Sequence, residues 1–303
     1  MPREYRPALD DPNAYVLYRY RPSQVAAIIF IVAFGLTTFA HIFQLIRKRT
    51  WYFIPLVVGG ICEFVGYIGR VMSHENMWAL VPFIVQSCLI LVAPALFAAS
   101  IYIILGRIIL LVDGERYSLV PQKWLTKMFV TGDIISFMLQ GAGAGIQAKG
   151  NLKSMELGEK IIIGGLVAQL MFFGFFVAVA GMFHYRLVND RPLKKRLGPT
   201  SSRDAGLSRP ALSDLPWKRH LFNLYFASGL IMLRSVFRVV EYVGGNAGYL
   251  LSNEVFLYIF DSVLMFFVMV SFNWIHPGQV TEAYQKRIRS SSPVELHRRT
   301  TSL

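Results

Sequence analysis

Ionisable side chains occur inside stretches of this sequence that are otherwise apolar. Seven of them are Glu63, Arg70, Asp133, Arg234, Arg238, Glu241 and Asp261. A charge at the centre of a bilayer costs about 2.5–3.5 kcal/mol on insertion scales. The summed cost of burying seven unpaired charges would therefore exceed the free energy of unfolding of a typical protein, which is about 5–15 kcal/mol. We expect these side chains to pair with one another or to line water inside a helix bundle.

The spacing of the polar residues indicates which helix faces carry them. Pairs seven positions apart are separated by about two turns of an α-helix and project from one face. The pairs are Glu63 with Arg70, Asp133 with Gln140, Arg234 with Glu241, and Glu254 with Asp261. Ser136, Arg238 and Tyr258 extend these stripes. We therefore predict four helices that turn a polar stripe inward and an apolar face to lipid.

Two interpretations of the stripes remain open. In the first, the charges form a fixed network that sets helix packing, much as the closely spaced glycines from Gly141 to Gly145 allow close helix contact. In the second, which we favour for the set as a whole, the charges mark a pathway, because intramembrane charge is costly and usually functional. Four acids face three arginines among the seven. The surplus acid is either protonated or available to a cationic headgroup.

The apolar blocks of the sequence predict which segments form the helices that carry these residues. Of the 303 residues, 54% are hydrophobic and 16% are charged. About 20 apolar residues cross a bilayer as a helix. Seven blocks qualify: Gln24 to Ile46, Tyr52 to Val71, Met77 to Val112, Leu125 to Ile146, Ile161 to Tyr185, His220 to Val243, and Val255 to Ile275. The third block predicts one helix, bent at Pro82 or Pro94. Two short helices there would give eight spans and move the C-terminus across the membrane.

The predicted fold is an all-α membrane protein, a bundle of seven transmembrane helices. Residues 1–22 form a polar N-terminal arm, and residues 23–276 form the transmembrane domain with a basic cytoplasmic loop at 186–219. Residues 277–303 form a basic tail that composition predicts to be disordered.

The net charge of +13 does not indicate nucleic-acid binding, because the basic residues are distributed as the topology of a membrane protein requires. With the N-terminus outside, 20 of the 31 Lys and Arg residues fall in cytoplasmic segments and 7 on the opposite face. The positive-inside rule therefore predicts a cytoplasmic C-terminus. The basic loop and tail either contact anionic lipid headgroups or only hold the topology, as basic loops do in every multispan protein.

Several short motifs, taken in order, resemble the fungal RTA-like family, also called lipid-translocating exporters. They are Tyr20-Arg-Pro22-Ser23, Glu63-x-x-Gly66-Tyr67-x-x-Arg70, Ala93-Pro94 with Tyr102, Asp133-x-x-Ser136-x-x-x-Gln140-x-x-Gly143, Gly165-Leu166-x-x-Gln169, Arg234-x-x-Phe237-Arg238-x-x-Glu241, Glu254-x-x-x-Tyr258-x-x-Asp261 and His276-Pro277-Gly278. The resemblance covers nearly the whole membrane region.

The resemblance implies a fungal plasma-membrane or other cell-membrane protein. It also implies transbilayer movement of sphingoid bases, phospholipids or sterol-like compounds, with resistance to toxic amphiphiles. The family brings no catalytic residues. Its motif residues coincide with the inward stripes, so we predict a substrate-binding or translocation site formed by Glu63, Tyr67, Arg70, Asp133, Gln140, Arg234, Arg238, Glu241, Tyr258 and Asp261.

The sequence also bears on functions other than lipid export. A lipid sensor of seven helices remains open, although the sequence lacks an Asp-Arg-Tyr after the third block and an Asn-Pro-x-x-Tyr in the seventh. An intramembrane enzyme is disfavoured, because no two of the six histidines have metal-binding spacing and no nucleophile accompanies the acids. No phosphate-binding loop of a nucleotide engine occurs. We expect no cofactor, no metal, membrane lipids as partners, and a glycine-rich face that could also dimerise.

Overall fold

The helices can be compared with these expectations in a computed structural model, which describes residues 18–147, 152–191, 193, 216–245 and 248–290. Within the described residues, α1 to α6 are Gln24–Lys48, Ile54–Glu75, Leu80–Leu111, Gln122–Gln147, Leu152–Val188 and Trp217–Val243. α7 covers 254–274 and is interrupted by the π-helical turn Tyr258–Val263. α8 is Gly278–Ser290. Helices satisfy every backbone hydrogen bond internally, as a hydrocarbon environment requires.

The fold is a helical bundle of the membrane type. Six segments of the described chain are long and apolar enough to span a membrane: Gln24–Lys48, Trp51–Glu75, Leu80–Leu111, Gln122–Gln147, Lys153–Val188 and Glu254–Lys286. The sequence predicted a seventh span in α6, which is 27 residues long but less apolar. α6 nevertheless lies among the others, against α3, α5 and α7. Its polar side chains from His220 to Glu241 face the inside of the bundle, whereas Lys218 and Arg219 at its start are exposed.

The helices depart from the predicted blocks mainly in α5 and α8. α3 is one continuous helix with Pro94 in its interior, as predicted. α5 begins nine residues before the predicted Ile161, so Lys153 and Lys160 lie on a helix and not in a loop. Residues 278–290 form α8, where composition predicted disorder, and its apolar side packs against α3. Residues 1–17, most of the 186–219 loop and residues 291–303 lie outside the described residues.

The helices pack in two groups joined by α6 and by a direct contact between α3 and α4. Neighbouring helices α1, α2 and α3 form one group, and α4 and α5 form a close antiparallel pair. α6 contacts α5 on one side and α3 and α7 on the other, and α7 also contacts α1. The N-side end of the bundle, meaning the end at which α1 begins, therefore contains the ends of α2, α4 and α6 and the starts of α3, α5 and α7.

Two glycines explain how closely α4 and α5 approach. A Cβ atom added at Gly143 would lie 2.6 Å from the carbonyl oxygen of Gly158, and a Cβ at Gly158 would lie 2.5 Å from that of Gly143. Any larger side chain at either position forces the two backbones apart. By contrast, Gly145 on the same helix has nothing within 4 Å of the added atom.

Gly143→Ala should lower the melting temperature of the purified protein in detergent, because overpacking a close contact costs about 1–3 kcal/mol. Gly145→Ala is the matched control. It should leave the melting temperature unchanged or raise it, since Ala is favoured over Gly in a helix interior by about 1 kcal/mol. Equal melting temperatures for the two variants would contradict the close contact.

Candidate functional site

A buried arginine at the N-side end joins α2, α7 and the N-terminal arm. Arg70 Nη2 donates hydrogen bonds to Glu254 Oε1 at 2.7 Å and to the Tyr20 hydroxyl at 2.9 Å. Arg70 Nε donates to the Tyr258 hydroxyl at 3.1 Å. The guanidinium also lies over the Tyr258 and Tyr20 rings, 5.3 and 5.7 Å from their centroids. We call Arg70, Glu254, Tyr20 and Tyr258 the N-side cluster.

The arm before α1 is fixed to the same cluster. The backbone N–H of Ser23 donates to both Glu254 carboxylate oxygens at 2.9 Å. The Tyr18 hydroxyl contacts Ser73 Oγ at 2.9 Å and Gln86 Oε1 at 3.0 Å, and burial raises the pKa of Tyr18 above its ordinary value. These contacts hold the arm between α2, α3 and α7.

Deeper in the bundle, two arginines of α6 share one acid of α7. Arg234 Nε donates to Asp261 Oδ1, and Arg238 Nη2 lies 3.1 Å from Asp261 Oδ2. Arg238 Nη1 also donates to Glu241 Oε2 at 2.7 Å. Arg234 Nη2 in addition donates to the backbone carbonyl of Ile90 on α3 at 3.1 Å. We call Arg234, Arg238, Glu241 and Asp261 the central cluster.

Glu63 of α2 is adjacent to the central cluster but is not bonded within it. Its residue exposure is 1%, and neither carboxyl oxygen has a hydrogen-bond partner among the described residues. Asp261, Arg234 and Arg238 are close enough to act on its charge. Among the described residues, Glu63 is therefore an acid without an ion pair, near two arginines that form their ion pairs with Asp261 and Glu241.

The π-helical turn of α7 positions the acids and hydroxyls of this site. Tyr258, Asp261 and Ser262 all lie within the turn Tyr258–Val263. A π turn widens the helix locally, and such turns occur frequently at functional sites. The turn presents Asp261 to α6 and Ser262 to the Tyr67 hydroxyl of α2.

Tyr67 lies between the two clusters. Its hydroxyl bonds to Ser262, and Arg70, Glu63 and Asp261 are all near enough to act on it electrostatically. Its ring stacks on Phe34 with centroids 5.6 Å apart. An aromatic stack of Phe30, Phe34, Tyr67 and Tyr258 thus covers the charged groups on the α1 side.

Asp133 and Gln140 make their polar contacts away from both clusters. Asp133 Oδ2 accepts a hydrogen bond from the Tyr102 hydroxyl of α3 at 2.9 Å, and the Tyr102 ring packs against Phe129 of α4 and Phe176 of α5. Gln140 Nε2 donates to Gln169 Oε1 of α5 at 3.0 Å. The predicted site residues therefore fall into two sets. Eight lie in or beside the two clusters, whereas Asp133 and Gln140 form their hydrogen bonds among α3, α4 and α5.

All seven charged residues predicted to lie inside spans are turned away from the lipid face. Six are nearly inaccessible, and the side chain of Arg238 is 11% exposed. Their ion-pair partners, however, are not the residues seven positions away on the same helix face. Glu63 and Arg70 are not bonded to each other, because seven residues of helix separate them by about 10 Å along the axis. Arg70 is paired instead with Glu254 of α7.

A cavity of about 220 Å³ lies at the N-side end. Its polar wall includes Arg70, Gln140, Glu159, Arg238 and Glu241, and apolar side chains from α3, α4, α5 and the segment before α7 complete it. The cavity thus connects the N-side cluster, one edge of the central cluster and Gln140. It is smaller than the pocket of a drug-sized ligand, which is about 300–1,000 Å³.

Three contributors to the site were missed as site residues. Glu254 was placed one residue outside the predicted seventh span, although it belongs to the motif that includes Tyr258 and Asp261. Tyr20 belongs to the motif before α1, which carried no predicted role. Ser262 had no signal of its own, because its importance depends on the π turn.

Comparison with known proteins gives the class of the chain. A family model described as "RTA1 like protein" matches residues 56–284, a range that includes both clusters except Tyr20. The chain belongs to this family, which confirms the resemblance inferred from the motifs. No solved structure matches the chain.

Individual relatives come from Saccharomyces cerevisiae. Protoporphyrin uptake protein 1 is 34% identical over 86% of this chain and 92% of its own length. Protein RTM1 is 33% identical over 86% of this chain and 91% of its own length. The sphingoid long-chain base transporter RSB1 is 29% identical over 83% of this chain and 70% of its own length. These relatives support a membrane transport-related role.

Arg234→Gln should lower the free energy of unfolding by about 3–5 kcal/mol, because it leaves Asp261 buried with an incomplete partner set. The double change Arg234→Met with Asp261→Leu should recover most of this loss, since it removes the buried pair while Arg238 keeps Glu241. Both can be measured by denaturation in mixed micelles.

Arg116→Gln is the control for this prediction. Arg116 and Asp190 form an exposed pair at 3.7 Å with side chains 42% and 81% accessible. Losing such a pair costs about 1 kcal/mol or less. If Arg234→Gln were as mild as Arg116→Gln, the central cluster would not be holding α6 to α7.

Proposed function

We propose that the protein moves amphiphilic lipids across the bilayer and so contributes to resistance to toxic amphiphiles. Sphingoid bases are the first candidates, with phospholipids and sterol-like compounds as further ones. The observation that carries the proposal is the N-side cavity, whose wall combines apolar side chains with charged groups of three helices, α2, α5 and α6. An amphiphile needs both kinds of contact, one for the chain and one for the headgroup.

The cavity and the clusters suggest how the lipid is handled. The headgroup enters the N-side cavity and exchanges contacts with Arg70, Arg238, Glu241 and Glu159 while the acyl chain stays in lipid. A polar group crossing hydrocarbon must keep polar partners at each depth. The N-side cluster, Tyr67 and the central cluster provide such partners along α2, from the end of the helix to Glu63 near its middle. The activity is transport and includes no bond-breaking step.

The orientation belongs to this proposal. We place the N-side end outside, in a fungal plasma membrane, with all seven helices α1 to α7 crossing it. Basic side chains at the other end support this placement, among them Arg47 and Lys48 in the last turn of α1 and Lys123 and Lys127 in the first turns of α4. The basic loop and tail then contact anionic headgroups of the cytoplasmic leaflet.

The decisive experiment is reconstitution of the purified protein in liposomes with a fluorescent sphingoid base in one leaflet. Loss of the signal to an impermeant quencher measures movement. Protein-dependent movement supports transport. Ligand-dependent recruitment of a cytosolic protein without any lipid movement would instead identify a sensor and overturn the proposal.

Ala144→Trp should slow this lipid movement by at least about tenfold, equivalent to about 1.4 kcal/mol in the barrier. Ala144 lines the N-side cavity, and an indole there fills the space needed by the headgroup. Ala142→Trp is the matched control, because Ala142 is an exposed residue of the same helix outside the cavity wall. The control should move lipid at the normal rate. Equal rates for both variants would remove the cavity from the pathway.

A further inference from the structure

Glu63 differs from the other buried acids of the bundle. Its carboxyl oxygens are covered and accept no hydrogen bond from any described residue. Each of the other buried acids, Asp133, Glu241 and Asp261, has at least one donor, and so does the partly buried Glu254. An ionised carboxylate attracts donors strongly, and two arginines are close enough to supply them. The hydrogen bonds that they make go to other groups, and Arg238 Nε has no partner among the described residues, which is the arrangement expected around a neutral carboxyl.

The charges that face Glu63 come from two helices. Arg234 and Arg238 belong to α6, and Asp261 belongs to α7. On its own helix, Tyr67 is adjacent and bonded to Ser262, and Cys62 is the neighbour in sequence. The buried ionisable groups of α1 and α3 are engaged elsewhere, His41 with the backbone carbonyl of Met269 and Tyr102 with Asp133.

The charge count of this region balances only when Glu63 is neutral. Arg234 and Arg238 are matched by Asp261 and Glu241. An ionised Glu63 would add an unmatched negative charge inside the membrane, which is strongly unfavourable. A purely structural role does not account for the residue either, since a neutral carboxyl without hydrogen bonds packs no better than an apolar side chain.

We propose that Glu63 is the proton-binding site of the transporter, protonated in this structure, and that the proton is the coupling ion. This inference rests on the proposed function and deepens it. When the carboxyl releases its proton to water entering from the N-side cavity, the carboxylate competes with Asp261 for Arg234 and Arg238. The ion pairs between α6 and α7 then weaken, and the two helices can separate. Reprotonation restores the present arrangement.

Infrared difference spectroscopy of the full chain in lipid nanodiscs tests the proton site directly. A protonated carboxyl and a carboxylate absorb at different frequencies, so a pH titration reveals buried acids that carry a proton. The titration is run on the unchanged protein, on Glu63→Gln and on Asp133→Asn. Asp133 is the matched control, because it is the other buried acid without an arginine partner in the described chain.

The expected result is a protonated-carboxyl band that disappears in Glu63→Gln and persists in Asp133→Asn. A band lost only in Asp133→Asn, or no such band in the unchanged protein, overturns the assignment. A melting curve run beside each spectrum shows that the variant is folded. Should Glu63→Gln fail to fold, Glu63→Asp is used, and a shift of the same band upon that change supports the assignment while an unshifted band overturns it.

Coupling is tested separately, by lipid movement in liposomes that carry a pH gradient. Net movement of the labelled sphingoid base should reverse direction when the gradient is reversed, with protein-free liposomes giving the passive distribution. Movement that is the same under both gradients overturns proton coupling and leaves the proposed function intact. The Glu63 band without any lipid movement supports the proton site and contradicts the proposed function.

Discussion

The sharing of Asp261 by Arg234 and Arg238 is the interaction on which the arrangement of this bundle depends. A guanidinium cannot be left unpaired in hydrocarbon, so α6 has to lie where an acid of α7 can reach both arginines. This requirement explains why the least apolar long helix occupies an interior position against α3, α5 and α7. It also explains the π turn, which brings Asp261 to α6 while Ser262 still meets α2.

The sequence predicted the secondary structure and the burial of the charges better than it predicted their partners. Apolar length locates helices because the bilayer sets a minimum span, and helical periodicity shows that Glu63 and Arg70 share a face. Periodicity on one helix says nothing about the helix opposite, so Glu254 could not be assigned to Arg70 from spacing. The π turn and α8 depend on tertiary contacts, and the early start of α5 depends on packing against α4. None of these leaves a clear mark in composition.

The two interpretations of the intramembrane charges, a fixed network and a pathway, apply to different residues. Arg234 and Asp261 are fully engaged and hold helices together, so a structural role accounts for them. Asp133 is satisfied by Tyr102 within an aromatic environment and needs no ligand. Arg70, Arg238 and Glu241 combine ion pairs with a place on the cavity wall, so they can bind a ligand and also stabilise the bundle. Glu63 has neither an ion pair nor a hydrogen bond among the residues that the structure describes.

Tyr67 connects Glu63 and the central cluster to the N-side cluster. It follows Glu63 by one helical turn and precedes Arg70 by another, and its hydroxyl bonds to Ser262, next to Asp261. A change of charge at Glu63 therefore acts on Tyr67 from one side, while the N-side cluster acts on it from the other. Because Ser262 and Tyr258 belong to the same π turn, a rearrangement of Asp261 moves residues that also contact Arg70. The proposed proton site near the middle of α2 and the proposed headgroup site at its N-side end are thus linked through one turn of α7.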